Sequence, residues 1–385
     1  MTFFPESIIS KLPHTGTSVF AVMTQMAREY NAINLSQGFP DFMISESLIR
    51  LVGKYMRKGY NQYAPMPGVM ALRERISEKT LGLYGAIYDP DKEITVTAGA
   101  TQALYTAITA FVRDEDEVII FEPAYDSYAP AVKLNGGMPI SFRLNPPEYA
   151  IDWDEVKRLI SSRTRMIIIN SPHNPTGSVL AENDLKELDK MTRDSGILIL
   201  SDEVYEHIIF DGEKHESVCM HPSLRERSLV VSSFGKTFHA TGWKMGYCVA
   251  PAVLMKEFRK VHQFMVFTVN TPIQHALADY INNPTNYEGL GEFYQQKRDF
   301  FLSALATSRF KHIPAAGTYF QLLDYSNISD EDEMVFAQRL VKEHKVAAVP
   351  TSSFYAKPVN NNMLRFCFAK SEQTLEEAAD ILCNI

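Results

Sequence analysis

Between residues 94 and 250 the chain alternates short runs of apolar, largely β-branched residues with longer stretches of helical periodicity. That alternation restricts the fold more than any other feature. The runs at 94–98, 117–121, 166–170, 197–201, 229–233 and 247–250 are apolar almost without a break. A strand that reads this way buries both faces, as strands do in a mainly parallel sheet covered by helices on either side. The segments between them fit such covers. In residues 101–112, Ala103, Leu104, Ala107, Ile108 and Phe111 recur at helical spacing, and residues 182–195 are rich in Leu, Lys, Glu and Asp. The expected fold class is therefore α/β, a three-layer doubly wound sheet.

A chain of 385 residues is too long for one ordinary core. Its last hundred residues change character: a helical pattern at 288–308, strand-like 317–323, a helix at 331–344, strand-like 346–350 and 363–368, and a final helix. These predict a smaller α+β domain. The expected organisation is an N-terminal segment, 1–45, packing on that domain, a large domain at 46–285, and a small C-terminal domain at 286–385. No internal repeat or low-complexity tract interrupts this plan.

Charge and cysteine usage narrow the function. A net charge of −8 argues against a nucleic-acid partner, which calls for a basic surface. No run of about 18 uncharged apolar residues is present, so no membrane span is expected, and the first 16 residues lack the basic and apolar regions of a secretory signal. Cys219, Cys248, Cys367 and Cys383 are scattered, with no paired spacing and no His/Cys ligand cluster. That distribution fits free thiols in the cytoplasm and no metal site.

In open α/β sheets ligands bind beyond the carboxyl ends of the strands, and those ends hold the polar residues of interest. The run 94–98 passes through Gly99, Ala100 and Thr101 into a helix, an arrangement whose backbone N–H groups suit a phosphate. The run 166–170 ends in SPHNPTG, a rigid turn that holds out Asn174. Asp202 follows ILILS, where an unpaired carboxylate is costly and calls for a cationic partner such as a protonated pyridine. Lys236 follows the run 229–233 between Phe234 and Phe238. Those neighbours suggest partial desolvation and a lowered pKa, the condition a lysine needs for Schiff-base chemistry. Ser233 and Lys244 bracket it as candidate phosphate ligands. Each feature alone also has a plain structural reading: a tight turn, a helix cap, a surface cation.

Together these residues carry a resemblance. The segments QGFPDF (37–42), NQYAPMPG (61–68), TAGATQAL (97–104), EPAYDSY (122–128), NSPHNPTG (170–177), SDEVYE (201–206), SSFGKTFHATGWKMGY (232–247) and LRFCFAK (364–370) strongly resemble the fold-type I, class I aminotransferases, in order and over essentially the whole chain. Within that family the sequence looks closest to the bacterial methionine aminotransferases, relatives of kynurenine aminotransferase and cysteine conjugate β-lyase. The resemblance implies pyridoxal 5'-phosphate (PLP) as cofactor, with Lys236 as the Schiff-base lysine and proton shuttle. It implies Asp202 as partner of the pyridine nitrogen, Tyr205 and Asn174 at the 3'-oxygen, and Tyr125 stacked on the ring. Ala100, Thr101, Ser233 and Lys244 would hold the phosphate, joined by Tyr63 of a neighbouring subunit in a homodimer with its site at the interface. Arg365 would clamp the substrate α-carboxylate, assisted by Gly38 and Asn174.

Two departures qualify the match. Lys244 stands where many relatives carry Arg, and Thr268 stands where kynurenine aminotransferases tend to have His. The second weakens the kynurenine assignment. No second substrate-binding Arg is evident. The candidate pocket residues Phe20, Tyr63, Tyr125, Phe267, Tyr319 and Phe354 are aromatic, which suits methionine or aromatic side chains. The expected activity is transfer of the amino group of methionine or aromatic amino acids to a 2-oxo acid by a ping-pong cycle. A PLP-dependent C–S β-lyase or a kynurenine aminotransferase is the alternative.

Overall fold

A computed structural model of the chain describes residues 9–13, 15–357 and 359–385. In chain order its strands are β1 (Ile33–Asn34), β2 (Ile94–Thr97), β3 (Glu117–Glu122), β4 (Met138–Arg143), β5 (Thr164–Asn170), β6 (Leu198–Asp202), β7 (Ser228–Ser233), β8 (Gly246–Val249), β9 (Phe320–Asp324), β10 (Val346–Ala347), β11 (Val349–Pro350) and β12 (Met363–Cys367). Seven form one sheet in the order β2-β8-β7-β6-β5-β3-β4. Its central pairs are parallel, whereas β8 runs antiparallel to both β7 and β2.

The continuous apolar runs have the meaning the sequence suggests. Along β3, β5 and β6, alternate residues enter two different cores: Ile119, Phe121, Ile167, Ile169 and Ile199 join one, and Val118, Ile120, Met166, Ile168 and Leu200 the other. Period-two side-chain alternation sends successive residues to opposite faces. A strand that is apolar throughout is therefore the middle layer of three. The helix Ala100–Phe111 covers one face with Ala103, Leu104, Ala107, Ile108 and Phe111, and the helix Glu182–Thr192 covers the other with Leu185 and Leu188. Strand β4 escaped the sequence reading. It is one of the sheet's two edges, only Phe142 of its six residues is buried, and a half-exposed edge strand lacks the apolar run that marks its neighbours.

A further core gathers the C-terminal elements. Antiparallel β11-β12-β9 and the helices Leu290–Ala304, Glu333–His344 and Glu372–Cys383 pack around Phe301, Phe336, Phe366 and Leu375. Met23 and Ala27 of the helix Val19–Glu29, with Leu35, share that core, and β1 pairs with β10. So does Val204–Phe210, the stretch just after β6, through Val204, Tyr205, Ile208 and Phe210. This stretch brings the C-terminal core against the sheet's carboxyl rim.

Candidate active site

The rim is shaped first by backbone. Gly99, at the N-cap of the helix Ala100–Phe111, has φ +79° and ψ 170°. A residue with a Cβ is strained there, and an added Cβ would lie 3.4 Å from Lys244 Cε and 3.5 Å from Nζ. The Lys244 ammonium thus sits over the first turn of that helix, where backbone N–H groups lack intrahelical partners. Ser233 ends β7 beside it, and Thr101 Oγ1 lies 3.2 Å from the Tyr125 hydroxyl. Unpaired N–H groups, two hydroxyls and an ammonium make an anion cradle.

Asp202 ends β6 and is buried. Its Oδ2 accepts from the Tyr128 hydroxyl at 2.6 Å and its Oδ1 from the Val204 N–H at 3.3 Å. Burial dominates these two hydrogen bonds and raises its pKa to about 6. Next to it, Asn170 Nδ2 donates to the Asp202 carbonyl at 2.9 Å while Asn170 Oδ1 accepts from the Asn174 N–H at 2.9 Å. Asn170 therefore fixes the 171–177 turn relative to β6.

Lys236 lies in the single helical turn Phe234–Thr237 after β7. Its Nζ donates to the Tyr319 hydroxyl at 2.8 Å and to the Gly38 carbonyl at 3.3 Å. Desolvation lowers its pKa to about 8, with the Arg365 and Lys244 charges acting the same way. The sequence reading attributed that desolvation to Phe234 and Phe238. The structure corrects it: those rings lie parallel to each other with centroids 6.1 Å apart, inside the main core. A residue two positions away on a helical turn faces elsewhere. The rings around Lys236 Nζ are Tyr205 and Tyr319, with centroids 5.4 and 5.3 Å away.

Arg365, in β12, is 1% exposed. Its Nη1 donates to Asn174 Oδ1 at 2.7 Å and its Nη2 to the Ser36 carbonyl at 3.0 Å, while its buried Nε has no partner. The guanidinium carbon lies 3.8 Å from the Phe320 ring centroid and 5.1 Å from those of Phe20 and Phe354. Burial lowers its pKa to about 10, so it stays charged at neutral pH.

Nine of the expected residues line one cavity of ≈ 170 Å³: Ala100, Thr101, Tyr125, Asn174, Asp202, Tyr205, Ser233, Lys236 and Lys244. Arg365 joins them through Asn174, Gly38 through its carbonyl to Lys236, and Phe20 and Phe354 through the face of Arg365. Tyr63 and Phe267 stand apart from this cavity. Tyr63 is 83% exposed, Phe267 is 46% exposed, and the two rings meet edge-on at 5.5 Å. Tyr128, Asn170, Ser36 and Phe320 are working parts the sequence did not single out. The first two lie inside quoted motifs, but only the hydrogen-bond partners seen here give them roles. Among the described residues no cluster of His, Cys, Asp or Glu could hold a metal ion, and no helix is long and apolar enough to cross a membrane.

Comparison with known proteins agrees with this construction. The family described as "Aminotransferase class I and II" matches residues 30–382. The chain is 53% identical over 383 residues to the methionine aminotransferase of Escherichia coli, covering 99% of each sequence. It is 32% identical to a kynurenine–oxoglutarate transaminase of Dictyostelium discoideum, covering 100% of this chain and 97% of the relative. The solved structure of E. coli YbdL, described with a methionine aminotransferase function, superposes with TM-score 0.97 at 52% identity over 99% of this chain and 100% of the other. N-succinyldiaminopimelate aminotransferase of Mycobacterium tuberculosis superposes with TM-score 0.94 at 34% identity, covering 98% and 100%. The sheet, the covering helices and the rim are those of aminotransferase fold type I, and this chain belongs to the class I and II aminotransferase family.

Proposed function

We propose that the chain is a PLP-dependent aminotransferase moving the amino group of methionine, and of aromatic amino acids, to a 2-oxo acid in two alternating half-reactions. The observation that carries the reading is the meeting, in one cavity, of a lysine whose pKa falls to about 8 and an aspartate whose pKa rises to about 6. Opposed shifts of this kind mark groups tuned for proton chemistry. Methionine is favoured by the 53% identity to the E. coli enzyme. The relatives that act on kynurenine are more distant.

The residues present fit PLP at each of its polar ends. The cradle formed by Ala100, Thr101, Ser233 and Lys244 would take the phosphate. Asp202, costly as a buried carboxylate, would be stabilised by a cationic ring nitrogen. Tyr205 and Asn174 would face the 3'-oxygen, and Tyr125 would lie on the ring. When bound, PLP supplies a carbonyl that condenses with amines and a protonated ring that withdraws electrons from the substrate Cα. Lys236 would present a neutral amine to that carbonyl at little cost near pH 8 and, once released, take and return the Cα proton. Arg365, already held by Asn174 and Ser36 and stacked on Phe320, would orient the substrate carboxylate, with Gly38 beside it. Phe20 and Phe267 would contact the substrate side chain.

The reading includes a homodimer, which would cover the exposed Tyr63 and Phe267 and carry Tyr63 to the partner's phosphate cradle. It places the enzyme in the cytoplasm, where the free thiols of Cys219, Cys248, Cys367 and Cys383 persist. It divides the chain into 1–45, 46–285 and 286–385, a division supported by the core gathered from the C-terminal elements; residues 1–8 and 14 of the first segment and 358 of the last lie outside the described residues. The test is an amino-donor panel against several 2-oxo acids, with Lys236→Ala in parallel. Methionine should rank among the best donors, and the variant should lose both turnover and the lysine-dependent cofactor absorbance. Full activity in Lys236→Ala would refute the mechanism.

A further inference from the structure

The Tyr319 side chain is completely buried just before β9. Its ring is fixed edge-on to Tyr205, with centroids 5.2 Å apart, and packs on Tyr294 and Phe320 at 5.6 and 4.9 Å. Its hydroxyl donates to the Gly38 carbonyl at 2.6 Å, and the same oxygen accepts from Lys236 Nζ at 2.8 Å. Gly38 packs directly on the neighbouring ring. A Cβ there would come within 2.5 Å of Phe320 Cζ, so the backbone already lies against that ring, and only glycine allows the approach.

The hydrogen bookkeeping has a directional result. A phenol has one proton, and the 2.6 Å contact commits it to Gly38. Toward Lys236 the Tyr319 oxygen therefore offers only a lone pair. Gly38 offers a second acceptor at 3.3 Å. A neutral amine has two N–H bonds and one lone pair around its nitrogen. With both N–H bonds held by the two acceptors, the lone pair is confined to the remaining tetrahedral direction, and Lys236 itself lines the cavity.

We propose that Tyr319, with the Gly38 carbonyl, is a positioning residue that aims the Lys236 lone pair at the substrate Cα during proton transfer. In that step the Cα–H bond breaks and its proton becomes the third N–H of Lys236. The electron pair of that bond is left with the substrate, and the same N–H later returns the proton. Tyr319 neither gains nor loses a proton. Its work is to restrict the rotation of a side chain that otherwise has several rotamers. This rests on the reading of Lys236 as the proton-transfer base.

The test is Tyr319→Phe in the holoenzyme, which keeps the ring and removes the acceptor. Wild-type protein that shows no lysine-dependent PLP absorbance would refute the underlying function, separately from this proposal. Given that absorbance in both proteins, the variant should keep KM for methionine within about twofold. Its kcat should fall roughly tenfold, the worth of one well-placed hydrogen bond, and the kinetic isotope effect with α-deuterated methionine should rise as proton transfer becomes more rate-limiting. In the full chain stripped of cofactor, amine acylation at Lys236 read by peptide mass spectrometry should reach half-rate at a pH lower by about one unit, because an acceptor for the ammonium is gone. Should Tyr319→Phe fail to fold, 3-fluorotyrosine at 319 keeps the shape and weakens the oxygen as acceptor; kcat and isotope effect should move the same way by a smaller amount. Unchanged kcat and isotope effect, or a loss confined to KM, would overturn the proposal.

Discussion

Replacing Asp202 by Asn should stabilise the cofactor-free protein at pH 8 while impairing its function. The carboxyl has a pKa of about 6 in the folded chain against an ordinary 3.8. A folded acid with a raised pKa contributes stability that is fully present below about pH 4 and is lost as pH rises to about 6. At 1.36 kcal/mol per pH unit the loss is about 3 kcal/mol, the cost of an ionised carboxylate on a buried strand end. Asparagine never ionises and escapes this loss. It pays elsewhere: two donors, Tyr128 and Val204, address the two carboxylate oxygens, and an amide has only one oxygen to offer. One donor left facing an NH₂ group costs about 1 kcal/mol. The net gain is then about 2 kcal/mol at pH 8. At pH 5 the carboxylate has lost only about 1.6 kcal/mol, so the gain shrinks to well under 1 kcal/mol. For 385 residues an unfolding entropy near 0.8 kcal/mol per kelvin turns 2 kcal/mol into about 2–3 °C. Thermal melts of both apo proteins at pH 8 and pH 5 measure it. An Asn variant no more stable at pH 8, or a difference that ignores pH, would show that Asp202 does not carry a destabilising charge. Adding PLP should stabilise the wild type more than the variant, because only the wild type offers a carboxylate to the ring nitrogen.

Two further outcomes follow from other contacts. Arg365→Lys keeps the charge but loses the fork that reaches Asn174 and Ser36 and the planar stack on Phe320; KM for methionine should rise at least tenfold while the cofactor absorbance is unchanged, which steady-state kinetics and a spectrum resolve. Lys79 and Glu206 form a buried pair at 2.8 Å in which Lys79 holds the Glu206 carboxyl far below its usual range. Lys79→Met should therefore cost about 3–5 kcal/mol in denaturant unfolding, and adding Glu206→Leu should recover much of it.

What was legible in the sequence follows from where each signal resides. Strands buried on both faces write themselves as apolar runs, so the sequence places β2, β3, β5, β6, β7 and β8 to within two residues, and polar residues at their ends meet in one cavity. Edge strand β4 and two-residue β1 have no such run. At the site, residues close in sequence to a strand end were found, whereas partners brought in by tertiary packing were not. Tyr128 reaches Asp202 across 74 positions and Ser36 reaches Arg365 across 329. The sequence neighbours Phe234 and Phe238 lie in the main core, and the rings at Lys236 are those of Tyr205 and Tyr319, 31 and 83 positions away (236 − 205 and 319 − 236).

The reversed direction of β8 has a consequence for how such enzymes can diversify. Elsewhere in the sheet the chain leaves the functional rim, crosses the far side and returns, so a crossover can absorb insertions without disturbing the rim. Between β7 and β8 the chain turns back at once and never leaves the rim. Lys236 and Lys244 both lie on that short return. The reach from Lys236 to Lys244 is thereby set by a fixed count of residues, and a single deletion would shift one end by up to about 3.5 Å. Length variation is therefore expected in the crossovers and in the C-terminal body, with the β7–β8 return held to a constant length.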